Sequence, residues 1–387
     1  MPKPKISIFI NSMSFGGAER VVSQILRHLK NDFDIHLLLL SNKIDFKIDD
    51  DIKVFHFGEN ITGGGLTSVL KLPSLAYKLK QFVKKHNIEV SISFLNRPGY
   101  INGLMRILFG YKGKLIICER THQSTLLNSE SKLYRTISTF LIKTTHNKAD
   151  LILCNAKLMK EDLYKNFGIT AKAEVVNNPI NINSIKEQSL EAVTFNFESG
   201  NFYFIAVGSF RREKNHQILL QALHKLNNKK AHLIFVGGGE YENFLKGLSA
   251  ELKIDKQVHF VGFDSNPYKY ILRSNCLVSG SYVEGFPNVI LEALVCGKPV
   301  ISTDCISGPR EILAPSSNAG NSLQKGFELC EFGILTGIRD PEGISEAMKY
   351  IMENPAEAEK YSKKAPQRAA DFDDSIIMNQ FKKMFTP

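Results

Sequence analysis

Short apolar runs alternate with segments of helical periodicity along the whole chain, and this alternation restricts the fold most. Residues 5–11 form one such run, and residues 18–29 after it have apolar positions at helical spacing. Strands that alternate with helices form parallel sheets with helices on both faces. At 387 residues the chain is too long for one ordinary core. We therefore predict two doubly wound, Rossmann-like α/β domains that face each other across a cleft.

The expected strands form two series with a polar gap between them. In the first half they are residues 5–11, 35–40, 53–57, 90–94, 115–118, 151–154 and 174–176. In the second half they are residues 202–207, 232–236, 258–261, 276–279, 299–302 and 333–335. A strand-poor, polar segment between two such series is typical of a linker. We predict domains over residues 1–180 and 201–370, with a linker over residues 181–200.

The composition is that of a globular protein in a reducing compartment. Hydrophobic residues make up 43% of the chain and charged residues 23%. The six cysteines are scattered, and none has CxxC or zinc-site spacing. The first residues lead directly into a strand, and no apolar run is long enough to span a bilayer. We expect a cytosolic protein without a signal peptide.

Positive charge is concentrated in the first half. Residues 1–190 contain 27 Lys and Arg against 16 Asp and Glu, a net charge of +11, whereas the whole chain carries +10. Such asymmetry indicates an anionic partner for this half. Residues 66–86 combine apolar positions at helical spacing with five lysines. This pattern predicts an amphipathic helix packed on the core, and it also allows contact with anionic membrane headgroups.

Two glutamates eight residues apart mark a candidate site in the second half. An apolar run precedes Glu284, Gly285 and Pro287 interrupt the chain, and a helix is predicted to begin at Asn288. Glu284 would then lie at the carboxyl end of a strand, where open α/β sheets bind ligands. Glu292 would lie about one turn into the helix. An isolated pair with this spacing would be two solvated helix charges, but the strand–turn–helix context favours a site.

The residues between the two glutamates are also expected to contact a ligand. Backbone N–H groups at a helix N-terminus suit a phosphate, and the flanking carboxylates suit the hydroxyl groups of a sugar and a ribose. The residues predicted to line this part of the site are Gly285, Phe286, Pro287, Asn288 and Val289.

The segment from Glu284 to Glu292 resembles a motif of the retaining GT-B glycosyltransferases of family 4 (group 1), such as those that act on bacterial polysaccharides and lipid-linked glycans. The resemblance covers nearly the whole chain, because further matches follow in the family's order. They are Gly16-Gly17-Ala18-Glu19-Arg20, Val207-Gly208-Ser209 with Lys214-Asn215, Val236-Gly237-Gly238-Gly239-Glu240, Gly297-Lys298-Pro299-Val300 and Ser307-Gly308-Pro309-Arg310-Glu311. The resemblance implies the GT-B fold, and a last helix within residues 371–387 that returns to the N-terminal domain.

The resemblance also implies how the leaving diphosphate is stabilised, since negative charge develops there during transfer. Family members usually place an arginine, and a lysine five residues later, at this position. Lys214 fits the lysine, but Ser209 stands where the arginine is expected. Arg211 or Arg212 in the same loop is the expected substitute, and each of them alone would otherwise be an ordinary solvated charge. By the same resemblance, Glu284 contacts the transferred sugar and Glu292 the donor ribose.

Three further positions complete the expected site. Gly16 and Gly17 lie between the first strand and the first helix, where glycine lets a ligand approach backbone N–H groups. Gly238 follows a strand in the same way, although its segment lacks the full G-x-G-x-x-G of NAD-binding sites. His122 follows the strand that ends at Cys118, and the resemblance suggests that it contacts the sugar.

We therefore expect a retaining hexosyltransferase that uses a nucleoside-diphosphate sugar, with UDP-sugar favoured. The acceptor would be a glycan or lipid-linked saccharide in surface polysaccharide or glycoconjugate synthesis, reached at the cytoplasmic face of the inner membrane. The resemblance implies no cofactor and no obligatory metal, and we expect no nucleic-acid partner. Two alternatives stay open, a GT-B-like nucleotide-sugar epimerase and a basic nucleic-acid-binding protein. The glutamate pair disfavours the first, and the lack of a recognition-helix or RNP motif disfavours the second.

Overall fold

A computed structural model describes residues 2–14, 16–59, 66–128 and 130–387. The chain divides into two compact units. Unit 1 comprises Met1–Pro179 and Ser375–Pro387, and unit 2 comprises Ile180–Asp374. Within the described ranges each unit contains a seven-stranded sheet. The two doubly wound α/β sheets predicted from the strand–helix alternation are confirmed.

Unit 1 alternates strands and helices over most of its length. Its elements are β1 (Lys5–Ile10), α1 (Gly17–Leu29), β2 (Asp34–Leu39), β3 (Lys53–His56), α2 (Leu66–Leu70), α3 (Leu72–His86), β4 (Val90–Phe94), α4 (Asn96–Phe109), β5 (Lys114–Glu119), α5 (Gln123–Asn128), α6 (Lys132–His146), β6 (Leu151–Cys154), α7 (Lys157–Phe167) and β7 (Ala173–Val175). The strands pair in parallel in the order β3-β2-β1-β4-β5-β6-β7. The order reverses between β1 and β4, and ligands of such sheets bind beyond the carboxyl ends of the strands at this point.

Unit 2 repeats this plan, with one antiparallel strand at its edge. Its elements are α8 (Ile182–Ser189), β8 (Phe202–Val207), α9 (His216–Leu226), β9 (Ala231–Val236), α10 (Glu242–Glu251), β10 (Val258–Gly262), α11 (Tyr268–Arg273), β11 (Cys276–Ser279), α12 (Asn288–Val295), β12 (Val300–Thr303), α13 (Pro309–Leu313), β13 (Phe327–Leu329), β14 (Ile334–Thr336), α14 (Pro341–Glu353) and α15 (Pro355–Ala370). The strand order is β10-β9-β8-β11-β12-β14-β13, and it reverses between β8 and β11. Only β13 pairs antiparallel in the described part of this sheet. Residues 181–200, the expected linker, contain α8 and group with unit 2.

The last helix, α16 (Asp374–Phe385), joins the core of unit 1. Ile377, Met378, Phe381 and Phe385 are buried there together with the apolar stripe of α1. Full burial of one such side chain stabilises a fold by about 1.5–3 kcal/mol. The helix is therefore held to unit 1 by its apolar face.

Residues 66–86 form two helices rather than one. Pro73 lies in the first turn of α3, a position that proline tolerates, whereas continuation of α2 through it would require a missing N–H donor. The apolar face of α3 is buried through Leu75, Leu79 and Val83. Among the helices of the described ranges, none is long and apolar enough to cross a membrane.

Candidate active site

Two loops of unit 2 meet where its strand order reverses. One follows β8 and carries Lys214, and the other follows β11 and carries Glu284. The Lys214 ammonium donates to Glu284 Oε1 over 2.6 Å, and the Ser281 hydroxyl donates to the same oxygen over 2.7 Å. The Glu284 side chain is 11% exposed and that of Lys214 29%. The carboxyl edge of this sheet thus holds a cation and a carboxylate in direct contact.

Backbone geometry fixes the two loops against each other. Asn215 donates through Nδ2 to the carbonyl oxygen of Gly280 over 3.0 Å, and Tyr282 N–H donates to the carbonyl oxygen of Glu213 over 2.9 Å. A Cβ at Gly280 would lie 2.7 Å from the Ile218 side chain, so the close approach requires glycine. These contacts position Lys214 and Glu284 relative to each other.

Lys214 keeps its positive charge in this environment. Burial disfavours the charged ammonium, but the Glu284 carboxylate outweighs burial and raises the pKa of Lys214. His216 begins α9 two residues later and is buried against the rings of Phe210 and Phe235. Burial, reinforced by the charge of Lys214, lowers the pKa of His216 to about 4. At neutral pH this part of the loop therefore presents a charged lysine and a neutral imidazole.

The N-terminus of α12 lies directly after Glu284. The helix begins at Asn288, and Pro287 before it provides no side-chain cap. Ser307 donates through its hydroxyl to the carbonyl oxygen of Gly285 over 2.8 Å. Gly308 has φ of 93°, and a Cβ there would lie 2.5 Å from the Pro287 ring. Ser307 and Gly308, which follow β12, thus hold the loop before α12 in place. The positive end of the α12 dipole lies at the carboxyl edge of the unit 2 sheet.

Glu292 lies in the second turn of α12 and is buried, with 4% of its surface exposed. The expected ligand-binding segment from Glu284 to Glu292 therefore consists of the loop after β11 and the first two turns of α12. Phe286 is also buried, and its ring packs against that of Phe372 at 5.3 Å between centroids. Phe286 therefore anchors this loop in unit 2.

The loops after β8 and β9 are packed through glycines. A Cβ at Gly237 would lie 1.9 Å from the carbonyl oxygen of Gly208, and Phe210 N–H donates to the carbonyl oxygen of Gly238 over 2.9 Å. Gly238 thus supports the loop that carries Ser209, which is partly buried. Arg211 and Arg212 are both exposed, and within the described ranges neither side chain forms a hydrogen bond or an ion pair. Both guanidinium groups are available to a ligand.

In unit 1, His122 lies just before α5 and is mostly buried, with 11% of its side chain exposed. Its Nδ1 shares a hydrogen bond of 2.9 Å with the Thr125 hydroxyl, and the Asp162 carboxylate is 3.7 Å from the same nitrogen. Burial lowers the pKa of His122 despite the opposing charge of Asp162. The imidazole is therefore neutral at pH 7.

Glu119 and Arg120, the two charged residues before His122, form contacts in the interior of unit 1. Glu119 Oε1 lies 2.7 Å from His146 Nε2, and both side chains are at most 1% exposed. The Arg120 guanidinium lies over the Phe94 ring at 4.9 Å and donates to Asn178 Oδ1 over 3.0 Å. This network, absent from the sequence reasoning, fixes the segment on which His122 is carried.

Gly16 and Gly17 mark the start of α1 at the carboxyl edge of the unit 1 sheet. Gly16 is the N-cap in an extended conformation and makes no side-chain cap. The first N–H groups of α1 are accordingly not capped by a side chain at this position. The described ranges contain no group of three or more His, Cys, Asp or Glu placed to hold a metal ion.

Comparison with known proteins settles the family. Residues 190–368 match the family model of the glycosyl transferases group 1, and residues 15–184 match that of Glycosyltransferase Family 4. The chain is 34% identical over 370 residues to N-acetylgalactosamine-N,N'-diacetylbacillosaminyl-diphospho-undecaprenol 4-alpha-N-acetylgalactosaminyltransferase of Campylobacter jejuni, covering 95% of this chain and 96% of that protein. The chain belongs to glycosyltransferase family 4. The resemblance inferred from Glu284 to Glu292 is confirmed.

Other proteins match this family 4 glycosyltransferase over nearly its full length. A second Campylobacter jejuni protein, GalNAc-alpha-(1->4)-GalNAc-alpha-(1->3)-diNAcBac-PP-undecaprenol alpha-1,4-N-acetyl-D-galactosaminyltransferase, is 21% identical over 384 residues and 98% of each chain. The structure of HepE from Anabaena in complex with UDP has a TM-score of 0.75 at 17% identity, covering 98% of this chain and 99% of that one. This likeness shows the common GT-B fold.

Sequence reasoning missed Ser281 as a partner of Glu284 and His146 as a partner of Glu119. Ser281 lies three residues before Glu284, a spacing that a turn brings together, so a local signal existed. His146 lies 27 residues after Glu119 at the end of α6. Its contact depends on how α6 packs, and we find no short-range signal for it.

Proposed function

We propose that this protein is a retaining hexosyltransferase that moves a sugar from a UDP-sugar to a saccharide carried on a polyprenyl diphosphate, for surface polysaccharide or glycoconjugate synthesis. The observation that carries the proposal is the contact between Lys214 and Glu284 at the switch point of the unit 2 sheet, beside the N-terminus of α12.

The donor half of the proposal rests on the charges at this edge. Lys214 is a cation beside a helix N-terminus, and both stabilise negative charge on a leaving diphosphate. One of its N–H groups is directed at Glu284, which leaves others for phosphate oxygens. We assign Glu284 to hydroxyl groups of the transferred sugar and Glu292 to those of the ribose. The choice of uridine is supported by HepE, a protein of the same fold that is described in complex with UDP.

The acceptor half rests on relatives. The names of both Campylobacter jejuni proteins describe transfer to saccharides linked to undecaprenol through a diphosphate. The first of them aligns with nearly all of this chain. A polyprenyl carrier keeps the acceptor in a membrane, so we place the enzyme peripherally on the cytoplasmic face of the inner membrane.

The proposed chemistry needs no residue that bonds covalently to the sugar. The bond between C1 of the sugar and the diphosphate oxygen breaks, and the acceptor hydroxyl oxygen forms a bond to C1 on the same face. The acceptor proton passes to the leaving diphosphate oxygen, which balances the reaction. His122, neutral and held through Nδ1, is proposed to use Nε2 for a substrate hydroxyl. Lys214 takes the role that a metal has in other transferases, so we propose that transfer continues in EDTA.

The experiment supplies the purified protein with UDP-, GDP- and ADP-sugars and a polyprenyl-diphosphate-linked saccharide, with and without EDTA. We expect one added sugar by mass spectrometry with a UDP-sugar, starting with UDP-N-acetylhexosamines because of the relatives' names. NMR of the product should show the anomeric configuration of the donor. Conversion of the donor sugar without any acceptor would instead show an epimerase, and an inverted product would contradict retention.

A further inference from the structure

Helix α6 carries large apolar side chains on its solvent-facing side. The helix starts where the Ser131 hydroxyl accepts a hydrogen bond from Tyr134 N–H over 3.3 Å. One face of α6 is buried in unit 1. On the other face Leu133 and Phe140 are each 64% exposed, with the partly buried Ile137 between them. We call Leu133, Ile137 and Phe140 the apolar ridge.

The spacing of the ridge is that of one helix face. Positions separated by four and three residues lie one above another along a helix, so the three side chains form a continuous strip. Core packing does not explain this strip, because α6 buries its opposite side. Contiguous exposed apolar surface of this kind marks an interaction site.

The charged side chains on α6 all have one sign. Lys132, Arg135 and Lys143 are exposed on α6, and the helix contains no Asp or Glu. Within the described ranges none of the three forms an ion pair with an acidic side chain. Lys132 and Lys143 lie beside the ridge, whereas Arg135, two residues from both Leu133 and Ile137, lies on another side of α6. An apolar strip with unpaired cations beside it is the pattern of a helix that lies at an anionic lipid surface.

We propose that the apolar ridge, together with Lys132 and Lys143 beside it, docks unit 1 onto an anionic lipid bilayer. A second copy of this chain is a poor occupant, because a symmetric contact would bring the same cations together on a protein of net charge +10. A bilayer with anionic headgroups offers hydrocarbon to Leu133 and Phe140 and opposite charge to Lys132 and Lys143. The sequence also allows such a contact at residues 66–86, whose apolar face is buried as predicted, and that contact stays a prediction.

The placement of α6 suits an acceptor held in the membrane. Since α6 lies in the connection from β5 to the parallel strand β6, its first turn lies toward the carboxyl edge of the unit 1 sheet. His122 lies at the same edge. The docking proposal rests on the proposed function only for this biological reason, and its test needs no sugar transfer.

The chain contains no tryptophan, so Phe140→Trp introduces a single fluorescent reporter into the ridge. With phosphatidylglycerol-containing vesicles we expect a blue shift of its emission and quenching by brominated lipid, both reduced by added salt. Phe263→Trp is the matched control, because Phe263 in unit 2 is 63% exposed. It should show neither change.

Two further variants test the ridge and the cations separately by vesicle sedimentation. Leu133→Ser with Phe140→Ser should weaken binding by about tenfold or more, since two large apolar groups no longer reach hydrocarbon. Replacing Lys132 and Lys143 with Gln should weaken binding to anionic vesicles and reduce the preference over neutral ones. UDP binding, measured by thermal shift, should stay at the wild-type level in both variants.

The proposal is overturned if the fluorescence of the Phe140→Trp protein responds no more than that of the Phe263→Trp control, or if both α6 variants sediment like the wild type. It is also overturned if Gln at Lys78, Lys80, Lys84 and Lys85 of α3 removes binding while the α6 variants keep it. Loss of a dimer in the Leu133→Ser, Phe140→Ser protein, seen by light scattering, would assign the ridge to a second copy. Vesicle binding without sugar transfer would contradict the proposed function alone.

Discussion

Lys214 Nζ lies 2.6 Å from Glu284 Oε1 although 70 residues separate them in the chain. The contact joins the loops after two neighbouring strands, β8 and β11, at the point where the strand order reverses. A diphosphate that binds Lys214 meets a lysine already oriented by a carboxylate. A sugar that binds Glu284 meets a carboxylate whose Oε1 already accepts two hydrogen bonds.

Lys214→Ala should lower turnover at least tenfold, because the negative charge that Lys214 meets grows as the glycosidic bond breaks. Steady-state kinetics with saturating donor measure the effect. Lys225→Ala is the matched control, since Lys225 forms an exposed ion pair of 2.8 Å with Glu342 and such pairs contribute little. Wild-type turnover in Lys214→Ala would remove this lysine from the proposed site.

Glu284→Gln and Glu292→Gln should separate turnover from nucleotide binding. If Glu284 contacts the transferred sugar, its variant loses turnover while UDP binds nearly as before. If Glu292 contacts the ribose, its variant binds UDP more weakly, because a carboxylate accepts stronger hydrogen bonds from hydroxyls than an amide does. Calorimetric titration with UDP and initial rates measure the two quantities. The assignment is wrong if both variants keep wild-type kinetics and affinity.

Arg211 and Arg212 form a natural matched pair, since both are exposed and lie in the loop before Lys214. Ser209 leaves the usual arginine position without a cation. If Arg211 fills that role, Arg211→Ala should lower turnover by roughly tenfold, the effect of one interaction worth about 1.4 kcal/mol in the transition state, whereas Arg212→Ala should change it little. Equal kinetics for both variants and the wild type would show two ordinary surface charges.

Local sequence signals predicted most of the fold. The start of α12 at Asn288 follows from Gly285 and Pro287, which interrupt the preceding segment, and the buried parallel strands follow from their continuous apolar runs. The edge strand β13 was not predicted, because Phe327–Leu329 is three residues long and only partly buried. Short edge strands depend on pairing with a neighbour, here β14, and this pairing is not visible in a local window.

The sequence predicted the segments that carry the candidate site residues but not the contacts between those residues. The sequence places Lys214 and Glu284 after separate strands, and their adjacency depends on the order β8-β11 in the sheet. The apolar ridge was also missed, since Leu133, Ile137 and Phe140 have the spacing of a core-facing stripe. Sequence periodicity identifies a helix face, but it cannot tell which of two apolar faces turns inward.

The pH dependence of stability tests the environment of His216. Burial lowers its pKa from 6.5 to about 4 in the folded chain. Above pH 6.5 the imidazole is neutral in both the folded and unfolded states, so the titration of His216 does not reduce the free energy of unfolding there. As pH falls from 6.5 toward 4, the unfolded chain binds a proton that the folded chain excludes, and the free energy of unfolding decreases by up to about 3 kcal/mol. His216→Phe, which keeps an aromatic ring packed against Phe210 and Phe235, should lose this part of the acid sensitivity in calorimetric unfolding. His224→Gln, at an exposed position of the same helix, should keep the wild-type profile. If His216→Phe and the wild type lose stability equally between about pH 6.5 and 4.5, His216 is accessible to protons in the folded state and the buried environment beside Lys214 is wrong.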